Sequence, residues 1–200
     1  MSTLLHLSAS PRGAASESRA IAATFLDAYR ETHPDDEIVE WDLWDGLLPE
    51  FGPAAAAAKM AVFAGADPQG DEARAWRSAI DTFRRFDAAD RYLFSVPMWN
   101  AGVPYILKQF IDVISQPGLV FGFDPEHGYT GLLEDKKAAV IYTSAVYGPE
   151  RGPAFGADFQ RPFLDDWLRW TGIDDLAAVE FRPDLATPAR RGRQLSLIVW

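Results

Sequence analysis

The stretch RYLFSVPMWNAGVP, residues 91–104, carries a strand, its end and the start of a helix with no linker between them. Tyr92-Leu93-Phe94-Ser95-Val96 is a nearly continuous apolar run, the pattern of a strand buried on both faces of a parallel sheet. Pro97 stops it by removing a backbone donor. Gly102-Val103-Pro104 then opens a helix with proline in its first turn, where the missing N–H costs nothing. The helix carries Ile106, Leu107, Phe110, Ile111 and Ile114 as one stripe. A short buried strand feeding an amphipathic helix is half of a βαβ unit.

The same rhythm extends in both directions. Upstream, Thr3-Leu4-Leu5-His6-Leu7 reads as a first strand, followed by the loop Ser8–Gly13 and a helix from about Ser16 with Ile21, Phe25 and Tyr29 spaced by four and Ala22 and Leu26 beside them. His33-Pro34-Asp35-Asp36 ends that helix, and Glu37–Trp41 makes a second strand. Residues 42 to 70 are less regular, apart from an alanine-rich helix over Ala54–Phe63. Asp71–Asp87 forms another helix, marked by Trp76, Ile80 and Phe83. Downstream, Pro117–Gly131 reads as a glycine-rich aromatic connector, and KAAVIYT, Lys137–Thr143, is a fourth buried strand. A helix carrying Phe155, Phe159, Phe163 and Trp167 leads to a fifth strand at Ala177–Phe181, and Leu185–Trp200 reads as a closing helix. With no internal repeat and no linker, residues 1–200 are expected to form one domain. The expected architecture is a doubly wound α/β sandwich, a five-stranded parallel sheet in the order 2-1-3-4-5 with helices on both faces. Such a sheet takes its ligands at the carboxyl ends of strands 1, 3 and 4.

Composition narrows what those ligands can be. The 200 residues contain no cysteine, which excludes disulfides, thiolate catalysis and most structural zinc sites, and fits a cytoplasmic address. The 29 acidic against 19 basic side chains give a net charge of -10, which argues against nucleic acid or an anionic membrane as partner. MSTLLHLSASPRG lacks a basic start and a long apolar run, so no signal peptide is expected, and no stretch approaches a membrane span. The 13% aromatic content, with seven tryptophans, exceeds what a core of this size requires.

Each strand end offers a candidate. After strand 1, Ser10-Pro11-Arg12-Gly13-Ala14-Ala15-Ser16-Glu17-Ser18-Arg19 runs into a helix N-terminus, whose unpaired N–H groups and partial positive charge can seat a phosphate. Ser10, Ser16 and Ser18 would add hydroxyls, and Arg12 or Arg19 charge; Ser16 equally reads as a plain N-cap. After strand 3, Met98, Trp99, Asn100 and Ala101 lie between two prolines, either as a platform for a flat heteroaromatic ligand or as a well-packed turn. After strand 4, Ser144, Ala145, Val146 and Tyr147 combine small residues with one ring, either as a ligand approach or as an ordinary strand exit. No G-x-G-x-x-G, Walker loop or G-x-S-x-G elbow is present.

Ser10-Pro11-Arg12 with Ser16 and Ser18, PMWNAGVPYILKQFIDVISQPGLVFGF at 97–123 and GYTGLLEDKKAAVIYTSAVYG at 128–148 together resemble the FMN-dependent NADH-azoreductase family, flavodoxin-like NAD(P)H:quinone and azo-compound oxidoreductases. The resemblance covers essentially the whole chain. It implies a homodimer with tightly bound FMN at two sites across the interface. Phosphate contacts would fall to Ser10, Ser16, Glu17 and Ser18, ring contacts to Met98, Trp99, Asn100 and Ala101, and contacts to the flavin pyrimidine edge to Ser144, Ala145, Val146 and Tyr147. The last segment departs from the Ser-Arg-Gly-Gly of many relatives, and Ala101 is small where a bulky residue is common, which would open the substrate side. The implied reaction is a two-electron ping-pong exchange: NADH or NADPH gives a hydride to the flavin and leaves before a quinone or azo acceptor enters the same pocket.

That chemistry needs no catalytic side chain, and none stands out. His6 lies within a strand as a core residue, His33 precedes a proline in a turn, and His127 sits in the connector, where it is a minor candidate for meeting a substrate. The three histidines show no metal spacing. Phe121, Phe123 and Phe163 are candidates for an apolar substrate slot, with core packing as the competing role. Two rival functions are a flavodoxin-type electron carrier without its own small-molecule substrate and a cofactor-free regulator on the same fold.

Overall fold

A computed structural model describes residues 1–183; the expected closing helix at 185–200 lies outside them. Five parallel strands form the sheet: β1 (Thr3–Ser8), β2 (Glu37–Asp42), β3 (Arg91–Pro97), β6 (Lys137–Thr143) and β7 (Asp175–Phe181). Their order is β2-β1-β3-β6-β7. Counted within this sheet alone, that is the anticipated 2-1-3-4-5. The numbering differs because two strands, β4 (Phe121–Asp124) and β5 (Gly128–Gly131), pair antiparallel as a separate hairpin inside the segment read as connector. Asp124 makes the turn: its Oδ1 accepts the amides of Glu126 and His127, each at 2.9 Å, and Gly128 takes φ +85°.

Helices α1 (Glu17–Thr32), α2 (Pro53–Phe63), α3 (Gly70–Asp87), α4 (Tyr105–Ile114) and α5 (Arg161–Thr171) complete the described chain. Strand periodicity divides the core. Leu4, Leu93, Ala139 and Ile141 face α1, where Ala22, Phe25, Leu26 and Tyr29 are buried. Leu5, Leu7, Tyr92, Phe94, Ala138 and Val140 face the opposite side, against Phe83 and Phe86 of α3, the predicted stripe of α4, and Leu164, Trp167 and Leu168 of α5. On α3 the buried line is Ala79, Thr82, Phe83 and Phe86, with Trp76 and Ile80 only half-buried.

The last helix starts later than its aromatic spacing suggests. Phe155 closes a short 3-10 turn (Pro153–Phe155), Gly156 follows at φ +93°, and Phe159 is an exposed loop residue. Asp158 sets the start of α5 by accepting the amides of Gln160 at 2.9 Å and Arg161 at 3.0 Å. The hairpin packs on the far end of this helix through Gly131, where a Cβ would lie 2.3 Å from the Gly172 nitrogen. Among the described residues no helix is long and apolar enough to cross a membrane, and no cluster of His, Asp and Glu is arranged to hold a metal.

Candidate functional site

Parallel register brings the carboxyl ends of β1, β3 and β6 level: Ser8 pairs with Ser95, and Pro97 with Thr143. The ladder continues beyond the strands, with the Ala9 amide on the Ser95 carbonyl at 3.0 Å and the Met98 amide on the Thr143 carbonyl at 2.7 Å. The three loops that follow therefore leave the sheet side by side.

The first of them delivers α1 end-on. Ser16 is its N-cap, with Oγ accepting the Arg19 amide at 3.3 Å, and Glu17 places a carboxylate in the first turn. Ser18 is fully buried behind it, the two hydroxyls 3.1 Å apart. Ser10 Oγ accepts the Arg12 amide at 3.4 Å. Arg19 turns away to pair with Asp42 at 2.7 Å, so of the two arginines only Arg12 faces the site.

The second loop is a tight reversal. Trp99 and Gly102 exchange amide hydrogen bonds of 2.9 and 3.0 Å, and between them Asn100 and Ala101 both adopt left-handed backbone, at φ +48° and +67°. Two positive φ values across a two-residue hairpin define a type I′ turn. Asparagine tolerates this conformation; for Ala101 it costs about 1 kcal/mol. The turn holds Trp99 half-exposed. In the third loop Ser144 Oγ donates to the Tyr147 carbonyl at 2.5 Å, Ala145 and Val146 are exposed, and Tyr147 is partly buried.

These loops enclose one continuous depression. A cleft of about 200 Å³ is lined by Ser10, Arg12, Ser16 and Glu17 on one side, and Met98, Trp99, Ser144 and Ala145 on the other. An adjoining cleft of about 230 Å³ shares Met98, Ser144 and Ala145 and adds Asn100, Ala101, Val146 and Tyr147. Each alone is small for a ligand of nucleotide size; together they enter the range of roughly 300–1,000 Å³ typical of small-molecule sites. A larger groove of about 630 Å³, lined by Trp44, Val103 and Tyr105 among others, shares Trp99 and Asn100 with them.

Of the residues expected after strands 1, 3 and 4, all line this depression except Ser18, which stands directly behind Ser16, and Arg19, which is held by Asp42. Thr143 lines it at the end of β6, and Phe155 and Ala157 line it before α5; it is also lined by two residues that were not anticipated, Phe181 and Pro183. The carboxyl end of β7 beside β6 was the available signal for the latter two. The proposed substrate aromatics are not brought to the clefts of this chain. Phe121 is a core residue, 4% exposed, packed on Trp170 at 4.7 Å; Phe163 is partly buried against the same core; Phe123 is exposed on the hairpin. His127 is tied to Asp124 at 2.8 Å on the exposed hairpin turn, and His33 stacks on Tyr29 at 4.4 Å. His6 is buried, with Nε2 2.7 Å from Ser95 Oγ. Burial lowers its pKa to about 4, with Glu40 and Asp42 opposing and Arg19 adding to the shift, so it is neutral at pH 7.

The depression suits a flavin mononucleotide. Hydroxyls and a helix N-terminus at one end match a phosphate, and an indole, a thioether and turn amides at the other match a planar ring system.

Comparison with known proteins gives the family. A family model described as flavodoxin-like fold matches residues 2–194. The chain is 42% identical over 187 residues to a protein of Ruegeria pomeroyi named FMN-dependent NADH:quinone oxidoreductase, covering 94% of this chain and 92% of that one. It is 45% identical over 190 residues to FMN-dependent NADH:quinone oxidoreductase 1 of Bradyrhizobium diazoefficiens, covering 92% and 88%. The crystal structure of azoreductase from Bacillus anthracis strain Sterne superposes with a TM-score of 0.82 at 29% identity, over 91% of this chain and 87% of that one. The chain belongs to this flavodoxin-like family, among the relatives that carry the name FMN-dependent NADH:quinone oxidoreductase.

Proposed function

We propose that the protein is an FMN-dependent NAD(P)H oxidoreductase that reduces quinones and azo compounds, working as a single domain in the cytoplasm. The observation that carries this reading is the one depression in which an N-capped helix end, a strained tryptophan turn and a small-residue strand exit meet. Relatives of closely similar length bear the corresponding enzyme name.

Ser10 and Ser16 hold the phosphate by their hydroxyls, with Ser18 bracing Ser16 and the first-turn amides around Glu17 completing the seat. Arg12 supplies the cationic charge that an acidic chain otherwise lacks. Met98, Trp99, Asn100 and Ala101 would hold the ring system from one loop, and Ser144, Ala145, Val146 and Tyr147 would hold it from the other. FMN held there would supply the hydride chemistry that links NAD(P)H to the acceptor. The chain contributes orientation and exclusion of water.

The second part of the reading is a homodimer that closes the site. Trp99, Val146, Phe155 and Phe159 are all at least 45% exposed on and beside the clefts of a single protomer, an apolar patch of the kind that marks an interaction surface. On this reading the exposed Phe123 reaches a substrate only across that interface, while Phe121 serves the core. Anaerobic stopped-flow mixing of the flavin-loaded protein with NADH or NADPH tests the enzyme directly. Rapid bleaching, then reoxidation by a benzoquinone or an azo dye, is expected; a flavin that neither nucleotide reduces would leave an electron carrier in its place.

A further inference from the structure

Arg182 follows β7 between two cleft-lining residues, Phe181 and Pro183, yet its own side chain is only 4% exposed. A guanidinium so deeply placed requires hydrogen-bond acceptors, and each of its three nitrogens has one, on β7 or on the segment that leads into α5. Its Nε donates to Glu180 Oε2 at 2.6 Å, Nη2 to Asp158 Oδ2 at 3.0 Å and Nη1 to Gln160 Oε1 at 3.3 Å. It also lies 4.9 Å from the ring centroid of Tyr147.

Each partner holds something else. Asp158 uses its other oxygen to start α5. Gln160, fully buried, donates Nε2 to the Val96 carbonyl at 2.8 Å, two residues before Met98. Between Asp158 and Gln160, the Phe159 amide donates to the Ala101 carbonyl at 2.9 Å, inside the left-handed turn. Tyr147 belongs to the loop after β6. One guanidinium thus bears on the anchors of both loops, 98–101 and 144–147, which among the described residues are not hydrogen-bonded to each other beyond the end of the β3–β6 ladder.

We infer that Arg182 is a positioning residue that, through Gln160, Asp158 and Tyr147, sets these two loops against each other and so fixes how FMN sits. The inference rests on the FMN reading. Arginine suits the task because its planar fork serves several acceptors at once, whereas a lysine ammonium on the same stem could satisfy only part of the set.

The test uses the full chain reconstituted with FMN and the variants Arg182→Lys, Arg182→Met and Gln160→Met. Three quantities are read on each: the FMN dissociation constant, the visible circular dichroism of the flavin at saturation, and kcat and KM for NADH. Arg182→Met is expected to weaken FMN binding on the order of tenfold and to change the dichroism of flavin that remains bound. Gln160→Met is expected to act in the same direction by about threefold, and the double variant to lose less than the product of the two, as residues of one network do. Arg182→Lys is expected to recover part of the affinity. If Arg182→Met does not fold, the lysine and Gln160 variants decide. Folded Arg182→Lys and Gln160→Met proteins with wild-type FMN affinity, dichroism and kinetics would overturn the inference, as would a loss of thermal stability alone. Wild-type protein that takes up no FMN would remove the cofactor reading and this inference together; flavin-loaded wild type with unmoved variants would remove only this inference.

Discussion

At the amino end of the sheet, Asp36 receives hydrogen bonds from Tyr29 Oη at 2.8 Å, Arg91 Nη1 at 2.9 Å and the Ser2 amide at 2.6 Å, so three segments close on one carboxylate. At the carboxyl end of the same strands, α1 begins on a bare serine cap, a non-glycine residue stands in left-handed backbone, and an indole is half-exposed. The two ends differ in what their polar groups are for. The amino end gathers donors from three segments on one carboxylate inside the chain and contributes stability. The carboxyl end leaves hydroxyls, helix-end amides and strain facing a cleft, which is how a binding site is distinguished from a scaffold.

The largest effect is expected from adding a charge where the phosphate belongs. Aspartate caps a helix as well as serine does, so Ser16→Asp should preserve α1 while opposing the phosphate. At about 4 Å and an effective dielectric of about 20, the repulsion amounts to about 4 kcal/mol, or roughly a thousandfold in FMN affinity. Flavin retained after gel filtration, beside an unchanged far-ultraviolet spectrum, measures it; full retention would mean that the phosphate sits elsewhere.

His6 lies between the two ends, with Glu40 and Asp42 of β2 and Arg19 of α1 around it. Its native pKa of about 4 is below the 6.5 of an unperturbed histidine, so the unfolded chain binds the proton more readily. The stability this contributes is complete above pH 6.5 and is lost as pH falls toward 4, by up to about 3 kcal/mol. Urea unfolding across that window should show the loss, and His6→Leu should reduce it; identical slopes would mean that other groups dominate.

Smaller changes separate the ends further. Tyr29→Phe removes the hydrogen bond to Asp36 and the one accepted from Arg91, and should cost about 1–2 kcal/mol of stability without altering flavin affinity. Ala101→Gly should do the reverse. It relieves left-handed strain, raises stability by less than about 1 kcal/mol once glycine's greater unfolded-state freedom is counted, and loosens the turn, which a modest weakening of FMN binding would report.

Much of this was legible in the residues themselves. Buried strands announce themselves as apolar runs, the topological rule then names the loops after strands 1, 3 and 4, and the family resemblance singles out Ser10, Ser16, Met98–Ala101 and Ser144–Tyr147 within them. What was hidden depends on long-range pairing or on unusual backbone. Asp124-Pro125-Glu126-His127-Gly128 carries the residues of a hairpin turn, but the flanking strands are only four residues each, too short for alternation to show. Phe155 and Phe159 keep helical spacing with Phe163, yet Gly156 and the hydrogen bonds of Asp158 end that register. Asn100-Ala101 lacks the glycine that usually marks a type I′ turn. The contacts of Arg182 with Asp158 and Gln160 span more than twenty residues and leave no local trace.

The central claim is that the carboxyl end of this sheet is a flavin site, and titrating the purified chain with FMN tests it most directly. The account predicts saturable uptake of one FMN per chain, with the visible absorbance of the flavin shifted and its fluorescence quenched beside Trp99. A protein that remains colourless and leaves the fluorescence of added FMN unchanged would contradict it.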